Sequence, residues 1–111
     1  NKSITIINKN DKRDYLHVTD FVDAIIRMID YESKYDVFNV GSGKSISFEK
    51  LVNLVEQKSG KKINKINKSS QVHIKKIQAD IKKINKKTGW KPKISLEKGI
   101  EIVLKENNLL I

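Results

Sequence analysis

The chain has 111 residues, a formal net charge of +10 and no cysteine, so it is long enough for one domain with a modest hydrophobic core. The composition excludes disulfide bonds and a thiolate nucleophile, and its two histidines are too few for a multi-histidine zinc site. The sequence contains neither an apolar run near the ~18 residues of a membrane span nor a secretory signal pattern, which predicts a cytoplasmic protein with no membrane partner.

The N-terminal third of the sequence predicts two strands followed by a helix. The β-branched run 3–7 is typical of a short strand, and the alternating residues 15–18 predict a second strand. Thr19 or Asp20 is suited to the N-cap of a helix that runs to about Tyr31. Apolar side chains recur at helical spacing along it, so we expect one face of this helix to lie in the core. These side chains are Phe21, Ile25, Met28 and Ile29.

The rest of the sequence predicts short strands and three more helices. Residues 36–40 predict a strand that ends at a Gly-Ser-Gly turn, and residues 62–66 alternate like an edge strand whose lysines discourage further pairing. The helices are indicated by capping residues and stop glycines, which are Ser47 with Gly60, Asp80 with Gly89, and Ser95. The predicted fold is a small α+β domain of mixed short strands and about four helices.

Two further segments are less regular. Residues 67–78 show no clear period, and we expect an irregular loop with an extended portion there. Pro92 restricts Lys91 to extended geometry and so fixes a corner of the chain. We expect Trp90 to anchor this corner in the core.

Arginine is rare in this chain, since only Arg13 and Arg27 occur among 23 basic residues. Arg13 lies in a dense polar stretch, where a planar bidentate donor would bind a carboxylate or a phosphate. A salt bridge to a neighbouring aspartate is the alternative, and the residue chemistry leaves the two open. The candidate aspartates are Asp11, Asp14 and Asp20.

Two other features could carry chemistry, but structural roles are favoured for both. His17 with Asp14 or Asp20 could form an acid–base couple, although a histidine braced by a neighbouring hydrogen bond is the favoured interpretation. The turn Gly41-Ser42-Gly43 could cradle a phosphate through its N–H groups. It lacks the third glycine and the lysine of such motifs, which favours a simple strand-to-helix turn.

The positive charge does not by itself indicate a nucleic-acid site. Lysine, asparagine and isoleucine are all abundant, which is typical of an AT-rich coding bias, and the lysine pairs are scattered over helices and loops. We therefore interpret the charge as a solvated surface and keep a basic nucleic-acid-binding domain as a minor alternative.

Several motifs in fixed order resemble the C-terminal portion of NAD-dependent epimerase/dehydratases, the extended short-chain dehydrogenases that act on nucleotide sugars. The resemblance covers nearly the whole chain, and the order and intervals of the motifs are more specific than any one of them. The motifs are RDYLHVTD at 13–20, FNVGSG at 38–43, ADIKK at 79–83, TGWKP at 88–92 and SLEKGI at 95–100.

The resemblance implies a role for Arg13, because the matching arginine of the family contacts the substrate diphosphate. A second phosphate-binding arginine of the family would stand ten residues before Asp80, where this chain has Ser70. The resemblance makes His73, Lys75 and Lys76 the candidate substitutes in the same loop. It further implies that Asn39, Gly41 and Gly43 are mainly architectural.

The resemblance also implies that cofactor binding and substrate binding belong to different parts of a longer enzyme. The Gly-rich fingerprint and the Tyr-x-x-x-Lys pair of the family's NAD(P)-binding Rossmann domain are not found in residues 1–111. We therefore expect no catalytic residue and no cofactor site here. The expected function is the nucleotide-sugar-binding portion of an epimerase or dehydratase, whose partner is the Rossmann domain. The alternative is a stand-alone nucleotide-sugar-binding or regulatory module.

Overall fold

The computed structural model describes residues 3–111, and over this range it confirms the predicted small α+β domain with four helices and short strands. The strands are β1 (Ser3–Ile7), β2 (Lys12–Arg13), β3 (Ile46–Ser47) and β4 (Asn64–Lys68). The helices are α1 (Val18–Asp30), α2 (Phe48–Ser59), α3 (Lys82–Thr88) and α4 (Leu96–Glu106).

The strands form two small ladders. β1 pairs with β4 in parallel, with Ser3 opposite Asn64, so the predicted edge strand exists two residues later than expected. β2 pairs antiparallel with β3, and a parallel bridge joins Lys12 to Lys76 on the other side of β2. Arg13 therefore lies on a strand that has a neighbouring segment paired with it on each side.

Two predicted strands are wrong. Residues 15–17 belong to no ladder and Val18 already begins α1, while residues 36–40 form no strand and pair with no segment. A strand needs a neighbour to hydrogen-bond with, and within residues 3–111 no segment pairs with either stretch.

Local capping chemistry sets the ends of the helices. Ser47 and Ser95 cap α2 and α4, each accepting a hydrogen bond from the N–H three residues later at 3.2 Å. Gly60 and Gly89 end α2 and α3 with positive φ angles, as predicted. α1 is capped by His17 and not by Thr19 or Asp20.

The core forms around Trp90, which is fully buried together with Ala24 and Ile84, so the predicted anchor is confirmed. The indole N–H donates to the carbonyl of Asp20 at 3.1 Å. The Asp20 side chain, only 3% exposed, accepts hydrogen bonds from the N–H groups of Lys93 at 3.1 Å and Ile94 at 2.9 Å. These bonds fasten the corner after Trp90 to α1.

α1 presents a different face to the core than its apolar spacing predicts. Of the four residues expected inside, only Met28 packs against the core, while Phe21, Ile25 and Ile29 are exposed. The buried residues of the helix are Asp20 and Ala24. The apolar face of α1 thus points away from this domain.

Glu56 provides a pH-dependent link between α2 and β4. Hydrogen bonds from the Lys65 ammonium at 2.6 Å and from the Ile63 N–H at 2.8 Å lower the pKa of Glu56 below its usual value near 4.5. A lowered pKa in the folded state stabilises the fold above the unfolded pKa, and this stabilisation is lost as the pH falls through the folded pKa.

We therefore expect Glu56→Gln to lower the free energy of unfolding at about pH 7, and the difference from wild type to shrink as the pH falls below the usual carboxyl pKa near 4.5. Urea titrations across this range measure it. Glu106→Gln, at an exposed site, is the control and should match wild type throughout. A deficit of Glu56→Gln that is equally large at both ends of the range would contradict the assignment.

Candidate functional site

A cavity of about 370 Å³ opens where β2, β3 and the start of α4 meet. It brings together side chains that are far apart in the sequence. Its lining contains three positively charged residues and one acidic residue, Glu97. The lining includes Arg13, Tyr15, Lys44, Ile46, Lys93 and Ser95.

Arg13 has no carboxylate partner within residues 3–111. Its Nη1 donates to the carbonyl of Lys12 at 2.8 Å. The aspartates that could have paired with it have other partners: Asp11 contacts His73, Asp14 binds backbone N–H groups, and Asp20 faces the Trp90 corner. The salt-bridge alternative for Arg13 is therefore wrong, and its guanidinium retains donors for a ligand.

Tyr15 lies two residues after Arg13 and lines the same cavity. Burial raises the pKa of the Tyr15 phenol, and the positive charge of Arg13 offsets part of this increase. The phenol therefore keeps its proton near neutral pH and offers a hydrogen-bond donor to the cavity.

Asp14 anchors the Gly-Ser-Gly turn, whose Ser42 lines the cavity. One carboxylate oxygen accepts from the N–H of Ser42 at 2.7 Å and from its hydroxyl at 2.6 Å. The other accepts from the N–H of Gly43 at 3.0 Å and of Ala79 at 3.1 Å. The turn N–H groups are thus bound to the protein's own carboxylate, which agrees with the architectural interpretation of this turn.

The glycines of the turn meet two different steric needs. A Cβ on Gly41 would lie 2.6 Å from the Cβ of Ala79 and 2.8 Å from Oδ2 of Asp14, so no side chain fits there. Gly43 has a φ of +78°, in the left-handed region that favours glycine. Both glycines allow the chain to close around Asp14.

His17 has a capping role. Its Nδ1 accepts from the N–H of Thr19 at 3.2 Å and lies 2.8 Å from the Thr19 hydroxyl. A Cβ on Gly99 would come within 3.3 Å of the His17 ring, so that glycine allows α4 to pack against it. Within the described residues His17 forms no pair with an aspartate, which agrees with a bracing role and not with an acid–base couple.

The second half of the predicted site lies elsewhere. Nδ1 of His73 is 2.8 Å from Oδ2 of Asp11, and the carbonyl of Lys75 accepts from the Lys12 N–H at 2.8 Å. Lys76 forms the bridge to Lys12. The segment thus runs beside the strand of Arg13, but His73, Lys75 and Lys76 are not among the residues that line the Arg13 cavity.

The cavity instead contains two lysines that sequence reasoning missed. Lys44 follows the Gly-Ser-Gly turn, and Lys93 follows Pro92 at the corner. In a chain with this many lysines a single one carries no signal. Lys44 directly follows the Gly-Ser-Gly turn, which leads to the capped start of α2. This position could have indicated that Lys44 lies at the cavity.

The part of the chain that the structure describes contains no group of three or more acidic, histidine or cysteine side chains arranged to hold a metal ion. In the same part, no helix combines the length and the apolar character needed to cross a membrane.

Comparisons with known proteins agree on one family. The family model of GDP-mannose 4,6-dehydratase matches residues 1–103. The dTDP-4-dehydro-6-deoxyglucose reductase of Escherichia coli is 38% identical over 96 residues, which are 85% of this chain and 30% of the reductase. The chain spans about a third of the length of the curated relatives that it matches.

Solved structures share the fold. The UDP-glucose 4-epimerase of Thermotoga maritima, solved with UDP-glucose, matches 96% of this chain and 35% of its own length, with a TM-score of 0.85 and 26% identity. The UDP-glucuronic acid 4-epimerase of Bacillus cereus, in complex with UDP-glucuronic acid and NAD, matches 90% of this chain and 33% of its own, with a TM-score of 0.78 and 25% identity.

Proposed function

Because this chain belongs to the NAD-dependent epimerase/dehydratase family and matches its C-terminal part, we propose that it binds the diphosphate of a nucleotide sugar. The observation that carries this proposal is the guanidinium of Arg13, which has no carboxylate partner within residues 3–111 and lies at a cavity that also contains Lys44 and Lys93. The two epimerase structures, solved with UDP-glucose and with UDP-glucuronic acid, support the choice of ligand.

The chemistry of the cavity suits a diphosphate. A guanidinium presents two parallel N–H donors to phosphate oxygens, whereas Lys44 and Lys93 add compact positive charges. Ser95 caps α4 at the cavity, so the positive end of the helix dipole adds to the same field. The protonated Tyr15 phenol supplies a neutral donor. A charge-assisted contact of this kind contributes about 1.5–3 kcal/mol.

NAD(P) is the cofactor that the family implies for a whole enzyme, and the residues of this chain do not fit a site for it. A dinucleotide site uses free N–H groups of a Gly-rich turn at a helix N-terminus, whereas Ser42 and Gly43 donate theirs to Asp14. We therefore place the redox chemistry of an epimerase or dehydratase in a Rossmann domain outside these 111 residues and assign this chain the binding of substrate.

Arg13→Ala is expected to weaken binding of UDP by about 10- to 150-fold, which corresponds to losing roughly 1.5–3 kcal/mol. A two-dimensional NMR titration of the 111-residue chain with UDP measures it. The wild-type shifts should move at the residues that line the cavity. Arg27→Ala is the matched control because Arg27, the other arginine, is not among the residues lining the cavity. Its polar contacts within residues 3–111 are long, 3.9 Å to Asp23 and 3.5 Å to the Thr88 carbonyl.

Equal UDP affinity for wild type and Arg13→Ala would overturn the phosphate role of Arg13. The same titration tests the second half of the predicted site. If His73, Lys75 or Lys76 contacts the ligand from the neighbouring segment, substituting it by alanine weakens binding. If none does, all three substitutions leave the affinity at the wild-type value.

A further inference from the structure

Glu97 is the one acidic residue among the described residues that line the Arg13 cavity. Although cations line the same cavity, the Glu97 carboxylate forms no salt bridge within residues 3–111. Glu101, one turn further along α4, behaves differently, because it pairs with Lys58 at 2.9 Å and with Lys98 at 3.7 Å. The oxygens of Glu97 therefore remain able to accept hydrogen bonds from a ligand.

The other charged groups of the cavity have the opposite preference. Arg13, Lys44 and Lys93 carry only hydrogen-bond donors, and the protonated phenol of Tyr15 is a further donor. These groups suit phosphate oxygens, whereas a carboxylate repels phosphate and accepts hydrogen bonds from hydroxyl groups. The cavity thus combines a phosphate-binding set of donors on β2, the turn and the corner with one strong acceptor on α4.

The position of Glu97 in the first turn of α4 does not by itself account for its place at the cavity. A negative charge there stabilises the helix dipole. However, α2 has the same arrangement, since Glu49 follows the Ser47 cap by two residues as Glu97 follows the Ser95 cap. Glu49 lies 3.6 Å from Lys9 and does not line the cavity. The two glutamates therefore share the helix-dipole role and differ in their access to a ligand.

We infer that Glu97 is a specificity-determining residue, which accepts hydrogen bonds from hydroxyl groups of a ligand whose phosphates lie at Arg13. This inference rests on the proposed function for the position of the phosphates. An acidic side chain recognises a ribose hydroxyl in the same way in dinucleotide sites. Because specificity is a difference of affinities, a group that repels bare phosphate and attracts hydroxyl groups discriminates between the two kinds of ligand.

Binding of three ligands to the 111-residue chain tests this role. Pyrophosphate has phosphates alone, UDP adds the ribose hydroxyls, and UDP-glucose adds those of the hexose. We expect Glu97→Gln to bind pyrophosphate at least as tightly as wild type, because a negative charge is removed. It should bind a ligand whose hydroxyls contact Glu97 about three- to tenfold more weakly, since the amide keeps one accepting oxygen. A loss already seen with UDP assigns the ribose, and a loss confined to UDP-glucose assigns the hexose.

Glu49→Gln is the matched control, because it removes a first-turn glutamate from a serine-capped helix away from the cavity. It should bind all three ligands like wild type, and urea titrations should show that both variants are folded under the binding conditions. If Glu97→Gln weakened pyrophosphate as much as UDP and UDP-glucose, its role would be structural. If it weakened none of the three, the carboxylate would contact no hydroxyl group. Either result overturns the inference.

The two proposals fail separately. If Arg13→Ala proves silent while Glu97→Gln still weakens only the ligands that carry hydroxyl groups, the phosphate role of Arg13 falls and the role of Glu97 stands. If Arg13→Ala weakens pyrophosphate and UDP while Glu97→Gln weakens none of the ligands, only the role of Glu97 falls. A wild-type chain that binds none of the three ligands overturns both.

Discussion

Trp90→Ala is expected to lower the free energy of unfolding by about 3–5 kcal/mol, because it empties the centre of the core. Trp90 is fully buried against Ala24 and Ile84, and its indole N–H bonds the carbonyl of Asp20. Small domains are stable by only about 5–15 kcal/mol, so this loss is a large share of the total. Urea unfolding followed by far-UV circular dichroism measures it.

Two further variants divide the effect of Trp90 into packing and hydrogen bonding. Trp90→Phe keeps an aromatic ring but leaves the Asp20 carbonyl without its donor, and we expect it to cost about 1–3 kcal/mol. Tyr35→Ala, at an aromatic site that is 84% exposed, is the control and should stay within about 0.5 kcal/mol of wild type. If Trp90→Ala lost no more stability than Tyr35→Ala, the corner would not be anchored as described.

The features that sequence reasoning predicted correctly depend on local chemistry. A serine that accepts a bond from the N–H three residues later needs no distant partner, so Ser47 and Ser95 were identifiable as caps. The same holds for Gly60 and Gly89, whose positive φ angles follow from the way helices end. Trp90 was identifiable because a large aromatic side chain beside a corner fixed by proline is expected to be buried in the core.

Apart from the N-cap of α1, the wrong predictions concern features that depend on distant neighbours. Periodicity indicates that α1 has an apolar face, but not whether this domain or a partner covers it. Whether residues 36–40 form a strand depends on a segment that lies alongside, and residues 3–111 provide none. Both features therefore depend on contacts that the local sequence pattern does not specify.

The same distinction explains why only part of the candidate site could be predicted from the sequence. Arg13 stood out because arginine is rare in a lysine-rich chain, whereas Lys44 and Lys93 reach the cavity only through the fold. The sequence suggested Asp14 only as an ion-pair partner of Arg13 or an acid–base partner of His17. The structure makes Asp14 the residue that joins three segments, since its bonds reach Ser42, Gly43 and Ala79.

Asp14→Ala is expected to lower the free energy of unfolding by about 3 kcal/mol, since it leaves several part-buried donors without an acceptor. Asp14→Asn should lose nearly as much, because its amide has one accepting oxygen and turns an NH₂ toward N–H donors. Glu32→Ala removes an exposed carboxylate and serves as the control, with a change within about 0.5 kcal/mol. Urea titrations of the three variants measure these differences.

A second readout separates a positioning role of Asp14 from stability alone. The Ser42 hydroxyl donates to Asp14 and accepts from the Lys44 N–H at 3.1 Å, so Asp14 sets the backbone that carries Lys44 into the cavity. We therefore expect Asp14→Asn to weaken UDP binding about as much as Lys44→Ala does, at temperatures where it remains folded. Its amides at Ser42, Gly43 and Ala79 should exchange faster with solvent. Unchanged exchange at these amides would mean that the turn holds its shape without the carboxylate, and Asp14 would then have no part in placing Lys44.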